Sequence, residues 1–372
     1  MDSAAPTLTV WDLPVRLFHW LLVGAVATAM ITGWLAPQWW MGAHLWSGYQ
    51  VLALIGFRLI WGFWGSEYSR FASFAYGPGE TFAHLRALVF LKSRHAIGHS
   101  PAGAAMIWAL ALLLAGLVAS GLVMAGGEEK QGPLAGIASY QWGMAAKALH
   151  GPLALMLLGL IAGHVLGVLI ESRLVRENLV LAMITGKKRL TLSPPENIRS
   201  ARPLPTLLAL AVMAVLGAGS LAALARLPPT GIYELAANPV YAKECGACHH
   251  AFHPSLLPAS SWQGVMAGLA DHFGEDASLP KAQAEAIAVW LIANAAERWD
   301  TEAANRFRTL DPAQPLRITA TPYWTRKHRD LPKARFAQKA VGGPANCNAC
   351  HRDAATGLYA DQEIRLPKET NL

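Results

Sequence analysis

Charge is scarce in this chain. Asp, Glu, Lys and Arg make up 15% of its 372 residues, while 53% are hydrophobic. Soluble domains ordinarily carry about a quarter charged residues, so the composition excludes an ordinary water-soluble protein and points to a membrane class. Five long stretches, roughly 17–35, 45–65, 102–126, 148–170 and 204–225, carry no Asp, Glu, Lys or Arg apart from Arg58 in the second. Each is long enough to cross a hydrocarbon core of about 30 Å. Cysteine is scarcer still: there are four, too few for a disulfide scaffold in a chain of this length.

The missing charge is also missing unevenly. The link between the first and second stretches has no Lys or Arg, and the link between the third and fourth has only Lys130 and Lys147, beside Glu128 and Glu129. The second-to-third link carries Arg70, Arg86, Lys92 and Arg94. The fourth-to-fifth link carries Arg173, Arg176, Lys187, Lys188, Arg189, Arg199 and Arg202. The positive-inside rule then puts the N-terminus and both basic links in the cytoplasm of a bacterium and everything after the fifth span in the periplasm. The net charge of +7 is explained by these topogenic loops, and no nucleic-acid partner is expected. The first apolar stretch has full span length and no separate small-residue cleavage site, so it reads as a retained span and not a signal peptide.

All four cysteines fall in two identical patterns, Cys245-Gly246-Ala247-Cys248-His249 and Cys347-Asn348-Ala349-Cys350-His351. Cys-x-x-Cys-His is the attachment signature of c-type haem: two thioethers to the porphyrin, with the adjacent His beneath the iron. A Cys₄ zinc site is the rival, and it leaves the His after each pair unexplained. Haem c is attached outside the cytoplasm, the side that the charge asymmetry independently assigns to this region.

Ionisable groups inside spans are costly and mark function. Here they are His19 in the first span, His44 opening the second, and His150 and His164 in the fourth. His150 and His164 are fourteen residues apart, about 21 Å and close to four helical turns, so they share a face. Alternating span direction pairs them by depth with the others: His44 with His150 on the periplasmic side, His19 with His164 on the cytoplasmic side. Each pair is suited to clamp a haem b iron. Arg58 lies fourteen residues after His44 and returns to the same face at cytoplasmic depth; it and Arg16 are read either as partners of a haem propionate or as cations snorkelling to headgroups. His84, His95 and His99 in the cytoplasmic link are expected to be solvated or to face headgroups.

The run Trp11-Asp12-Leu13-Pro14-Val15-Arg16-Leu17-Phe18-His19-Trp20, then His44 with Gly48, Arg58-x-x-Trp61-Gly62, Tyr68-Ser69-Arg70-Phe71, His150-Gly151-Pro152 and His164, resembles bacterial cytochrome b561 and the related cytochrome b subunits of nickel–iron hydrogenases over about residues 8–190. The resemblance implies a four-helix bundle with two haems b held by the four histidines named above, and exchange of electrons with the quinone pool. It does not indicate a quinone site.

After the Pro228-Pro229 break, residues 229–372 hold no span. Helical patterns run near 239–248, 260–273 and 281–297, with Ser260 or Ser261 as a cap and irregular chain beyond. Trp262, Met266, Leu269 and His272 recur on one helical face, which offers His272 to an iron. This region resembles the small dihaem cytochromes c of proteobacteria through Glu244–His249, Leu256–Trp262, His272-Phe273-Gly274, Ile318–Tyr323 and Asn346–His351. That resemblance implies two His ligands per haem, making His272 and His328 the sixth-ligand candidates beside His249 and His351; from the sequence alone Met266 competes. His272 follows the first motif and His328 precedes the second, which suggests that pairing without fixing it. His250 and His253 are expected at the surface or behind a ligand.

The expected fold class is an all-α membrane protein: a four-helix haem b bundle over 1–190, a basic link and fifth transmembrane anchor helix over 191–228, and a mostly α and irregular periplasmic dihaem cytochrome c domain over 229–372. The expected function is electron transfer between quinone or quinol and a soluble periplasmic cytochrome or other redox protein, through two haems b and then two haems c. A homodimer is compatible with this reading. Whether to count the chain as an enzyme is left open; if catalytic, it is a quinol:periplasmic cytochrome oxidoreductase. Two alternatives remain: an electron-conducting anchor subunit of a larger dehydrogenase or hydrogenase, and superoxide oxidation coupled to quinone reduction, an activity found among b561 proteins.

Overall fold

The structure is a computed structural model; it describes residues 7–92, 96–189 and 203–368. His95 and three arginines of the basic links, Arg94, Arg199 and Arg202, lie outside the described residues. The chain forms two compact units: one of Met1–Ala36, Gly42–Gly121 and Lys147–Leu221, the other of Pro37–Met41, Leu122–Ala146 and Ala222–Leu372.

The first unit opens with strand β1 (Thr7–Thr9) and helix α1 (Leu13–Trp34). Asp12 caps α1 by accepting the Val15 N–H at 2.9 Å, and Pro14 sits in the first turn, where its missing N–H costs nothing. The second oxygen of Asp12 accepts from Trp61 Nε1 and from the hydroxyls of Ser66 and Ser69. One carboxylate thus ties the start of α1 to the end of helix α2 (Met41–Trp64). A short helix α3 (Pro78–Val89) follows, then the long helices α4 (Pro101–Gly127) and α5 (Tyr140–Leu174), helix α6 (Leu179–Thr185) and helix α7 (Pro203–Ala225). Among the described residues four helices, α1, α4, α5 and α7, are long and apolar enough to cross a membrane. The 24 residues of α2 have the length, but His44, Gln50 and Arg58 make it more polar.

Ala25 and Val26 of α1, Val51 of α2, Leu113, Leu114 and Leu117 of α4 and Leu157 of α5 form the bundle's core. None of the described side chains of α7 takes part in it; α7 leaves Leu207, Leu208, Val212, Val215 and Leu216 exposed, as suits a helix whose neighbour is lipid. The N-terminal segment and both basic links cluster together. Strand β1 pairs antiparallel with β2 (Lys187–Arg189), and Val10, Trp11 and Ala182 pack with Tyr68, Ile97 and Met183.

The second unit is built from short helices: α8 (Pro239–Cys245), α9 (Ala259–Ala267), α10 (Lys281–Ala293), α11 (Glu302–Phe307), α12 (Pro322–His328) and α13 (Lys333–Ala337). Leu256, Leu257, Trp262, Ile287, Leu291 and Phe307 make its core. Three expectations need correcting. The cap of α9 is Pro258; Ser261 instead spends its hydroxyl on the Pro315 carbonyl at 2.9 Å. The helix also ends at Gly268, so His272 is not on its face but in a turn bridged to Glu275. The stretch beyond 297, read as irregular, contains α11 to α13.

The sparsely charged links belong to this unit. Lys130, with a fully buried side chain, donates to Asp300 at 2.7 Å, and the same carboxylate accepts the Tyr140 N–H. Ala135 O accepts the Thr230 N–H at 2.7 Å. These link residues are interior structure.

Candidate functional site

Histidine rings meet in pairs. His44 and His150 have ring centres 6.1 Å apart. His249 and His272 are 6.2 Å apart, and so are His328 and His351. Two imidazoles bound to one iron at about 2 Å each put ring centres about 6 Å apart, so three separate pairs have the spacing of a bis-His haem. His164 lies close enough to His19 to act on it electrostatically.

Four of the outer nitrogens are already engaged, while His351 Nδ1 is buried without a partner. His44 Nδ1 donates to the Ala29 carbonyl at 3.0 Å and lies 3.3 Å from Thr32 Oγ1. His150 Nδ1 donates to Ser120 Oγ at 3.0 Å, whose own proton goes to Leu117 O. His249 Nδ1 donates to His250 O and His328 Nδ1 to Trp324 O, at 2.8 and 2.9 Å. In each case the proton on Nδ1 leaves the Nε2 lone pair free for a metal. Gly33 and Gly121 flank the first pair: a Cβ there would stand 3.2 Å from His44 Cε1 and 3.4 Å from His150 Cε1. The site is bordered by residues too small to crowd a ligand. His19 Nδ1, Arg16 Nε and Arg58 Nη1 are buried without a partner. Arg16 Nη1 donates to Thr185 O at 3.2 Å. The Arg58 guanidinium lies over Phe71 and Phe74, 4.8 and 5.5 Å from the ring centres. Buried guanidinium N–H groups of this kind suit a carboxylate such as a propionate.

In the second unit an open cleft of about 550 Å³ is lined by Cys248 and His249 of the first motif, His250 just after it, Asn346 just before the second motif and Asn348 within it. Asn348 Nδ2 donates to His250 Nδ1 at 2.8 Å, which ties the two motifs together. The four cysteines are free, and no group of three or more His, Cys, Asp or Glu suited to a metal occurs among the described residues. The two Cys pairs therefore do not converge on a Cys₄ site. Burial raises the Cys245 and Cys347 thiols to about 11. Burial, with Coulombic help from His328 and Lys327, holds His351 down at about 4, and burial lowers His272 and His328. All three stay neutral, as ligands must. Met266 packs into the core and forms no part of either pair.

Beside the second pair lies an acid cluster that the sequence did not reveal. Lys327 Nζ is 3.3 Å from Asp361 and 3.9 Å from Glu302, and Glu129 accepts the Asp361 N–H at 3.1 Å. Burial, then repulsion from Asp361 and Glu302, pushes the Glu129 carboxyl up to about 8. These acids come from segments far apart in the chain, and no spacing announces them.

Several other histidines differ from expectation. His99 is not solvated: it is packed between Trp11 and Phe74, ring centres 4.5 and 4.7 Å away, and burial with repulsion from Arg58 and Lys188 lowers it to about 3. His84 is also inside, 3.9 Å from Glu171. His253 is 4% exposed and bonded to Ser255, which excludes the surface alternative for it and leaves a place behind a ligand open.

Residues 10–186 match the family described as prokaryotic cytochrome b561, and residues 241–359 match the family described as dihaem cytochrome c. Solved structures similar to the chain include a diheme cytochrome c from Rhodobacter sphaeroides, 43% identical, covering 33% of this chain and 98% of that one, with a TM-score of 0.29. Another is the diheme cytochrome type c sb-DHC from Shewanella baltica OS155, 31% identical over 35% of this chain and 93% of that one, with a TM-score of 0.28. No curated protein matches. Both families carry haem, and the chain belongs to both: it is a membrane-bound haem electron-transfer protein in which a cytochrome b561 domain is fused to a dihaem cytochrome c domain.

Proposed function

We propose that the chain conducts electrons between the quinone pool and a soluble periplasmic redox protein through two haems b and two haems c. The observation that carries this reading is the recurrence of one spacing, 6.1 to 6.2 Å, in three histidine pairs. His44 and His150 hold one haem b, His19 and His164 the other, with Arg16 and Arg58 as partners for propionates. Cys245 and Cys248 attach the first haem c, ligated by His249 and His272; Cys347 and Cys350 attach the second, ligated by His351 and His328. Bound haem supplies one-electron chemistry at an iron with no open position. The protein's part is to hold the imidazoles in place, four of them (His44, His150, His249 and His328) by a hydrogen bond at the outer nitrogen, so that little moves on reduction.

The proposed domains are 1–190, 191–228 and 229–372, with the short outer links joined structurally to the last. The proposed location is a bacterial inner membrane. The grouping of segments supports the sidedness: the N-terminal segment clusters with both basic links, while the links poor in Lys and Arg belong to the unit that bears the Cys-x-x-Cys-His motifs. Basic segments mark the cytoplasmic side, so the haem c domain faces the periplasm.

A pyridine haemochrome spectrum of the purified full chain tests this reading. Equal amounts of haem b and haem c, two of each per chain, are expected. Haem c without haem b would reduce the protein to a tethered dihaem cytochrome and overturn the role of the membrane histidines.

A further inference from the structure

Residues 35–40 link α1 to α2. A link of that length reaches at most about 20 Å end to end, so a chain that leaves the membrane and returns within it rises no more than about 10 Å. That is the depth of the headgroup layer and its edge. Trp39 and Trp40, 42% and 54% exposed, are of the residue type that sits there. Any side chain that meets Trp39 is at the same depth. Only the two spans, and not the electron path, are needed for this.

What meets Trp39 is a segment from the far end of the second unit. The turn Gln38–Trp40 packs against the turn Asp361–Glu363, and an open cleft of about 390 Å³ is lined by Trp39, Ile364, Arg365 and Leu366. Arg365 Nη1 donates to the carbonyls of Gln362 and Ile364 at 2.8 and 2.7 Å, which fixes the guanidinium. Its other N–H groups have no acceptor and no carboxylate partner among the described residues. From 350 to 368 every exposed charged residue is positive: Arg352, Arg365 and Lys368 are exposed, whereas Asp353, Asp361 and Glu363 are buried or half-buried.

A fixed guanidinium on an apolar ledge, at headgroup depth, fits one class of ligand. A phosphate accepts paired N–H bonds from arginine, and the glycerol and first methylenes behind it suit the faces of an indole and of Ile364 and Leu366. An acidic soluble protein would need Trp39 clear of the headgroups, which the short link does not allow. We infer that Trp39 and Arg365 form a site for the headgroup of an anionic phospholipid, with Arg352 and Lys368 adding attraction at longer range. The site is the outer wall of the second Cys-x-x-Cys-His motif: Ile364 is bridged to His351, and the Arg365 N–H donates to Cys350 O at 2.8 Å. A bound lipid therefore ties that motif to the membrane surface.

The test uses the full-length, haem-loaded protein in a neutral detergent, titrated with dioctanoyl phosphatidylglycerol, dioctanoyl phosphatidylcholine or inorganic phosphate. Native mass spectrometry counts bound lipid, and hydrogen exchange reads the peptides covering 361–366. Phosphatidylglycerol is expected to bind about tenfold more tightly than phosphatidylcholine and to slow exchange across 361–366, while phosphate alone does neither. Arg365→Gln should weaken that binding about tenfold at unchanged haem content, and Arg365→Lys should recover part of it. Trp39→Leu, from the other side of the cleft, should weaken it as well. Equal binding of the two lipids, protection confined to other peptides, or wild-type binding in both Arg365→Gln and Trp39→Leu would overturn the site. Protection by inorganic phosphate as strong as by the lipid would make it a site for a free anion and overturn the lipid. Protection of 361–366 by an acidic redox protein, with none from phosphatidylglycerol, would make the basic face a protein dock and overturn the inference.

Discussion

His44 and His150 face each other with ring centres 6.1 Å apart and planes crossed at 71°, and a hydroxyl lies close to the outer nitrogen of each. Thr32 serves one ring and Ser120 the other. The residues that hold the pair are therefore as specific as the pair itself.

Removing one ring should remove one cofactor. His44→Ala or His150→Ala is expected to lower haem b from two to one per chain, with haem c unchanged, read by pyridine haemochrome. Full haem b content in both variants would exclude this pair as ligands.

The support behind the ligand should matter less than the ligand, but measurably. Ser120→Ala removes the acceptor 3.0 Å from His150 Nδ1. Losing such a partner typically weakens metal-site affinity 10–100-fold. Haem b is expected to bind yet dissociate faster during detergent dialysis, with a shifted midpoint potential. Dialysis kinetics equal to wild type would show that the hydroxyl is incidental.

Glu129 sets a pH dependence. In the fold its carboxyl keeps a proton up to about pH 8, against 4.5 for the ordinary group. Between those values the folded state holds a proton that the unfolded state has released, so stability falls as pH rises through that window. In Glu129→Gln this loss should vanish: the variant's advantage over wild type grows from about pH 5 to 8 and is flat above, as read from denaturant midpoints at a series of pH values. An advantage independent of pH would mean the carboxyl is already ionised in the fold.

Gly357 and His253 are locked together. Gly357 has φ +71°, a conformation that disfavours side chains, and a Cβ there would overlap the His253 imidazole. Gly357→Ala should cost about 1–3 kcal/mol and lower the melting temperature of the haem c domain. Burial also holds His253 down at about 4, against an ordinary 6.5. Its contribution is present above pH 6.5 and lost as pH falls from there toward 4; His253→Gln should flatten that acid limb. An unchanged melt in Gly357→Ala would contradict the packing.

Much of this protein is legible in its residues because its strongest signals are local. Two Cys-x-x-Cys-His motifs announce covalent haem, and long uncharged stretches announce spans, since lipid tolerates little else. His150 and His164 share a face because 3.6 residues make a turn, and alternating span direction then leaves only one depth-matched partner for each. The reading of His272 as a helical-face residue went wrong because Gly268 ends α9 before it, yet the turn beyond still brings the ring to His249. His84 and His99 were misplaced for another reason: a link between spans looks like solvent-exposed chain, and nothing in its composition shows that Trp11, Phe74 and Glu171 will enclose it.

The sequence by itself determined the cofactor chemistry, the spans and the sorting of basic and neutral links, since covalent attachment, helix periodicity and charge in lipid are properties of short segments. Only the tertiary structure decided which ring meets His249 and which meets His351, that Lys130 is buried against Asp300, that Glu129 joins Glu302 and Asp361, and that His84 and Glu171 are left facing each other. Those depend on segments as many as 232 residues apart, brought together by the free energy of the whole core and not by any preference written in a single stretch.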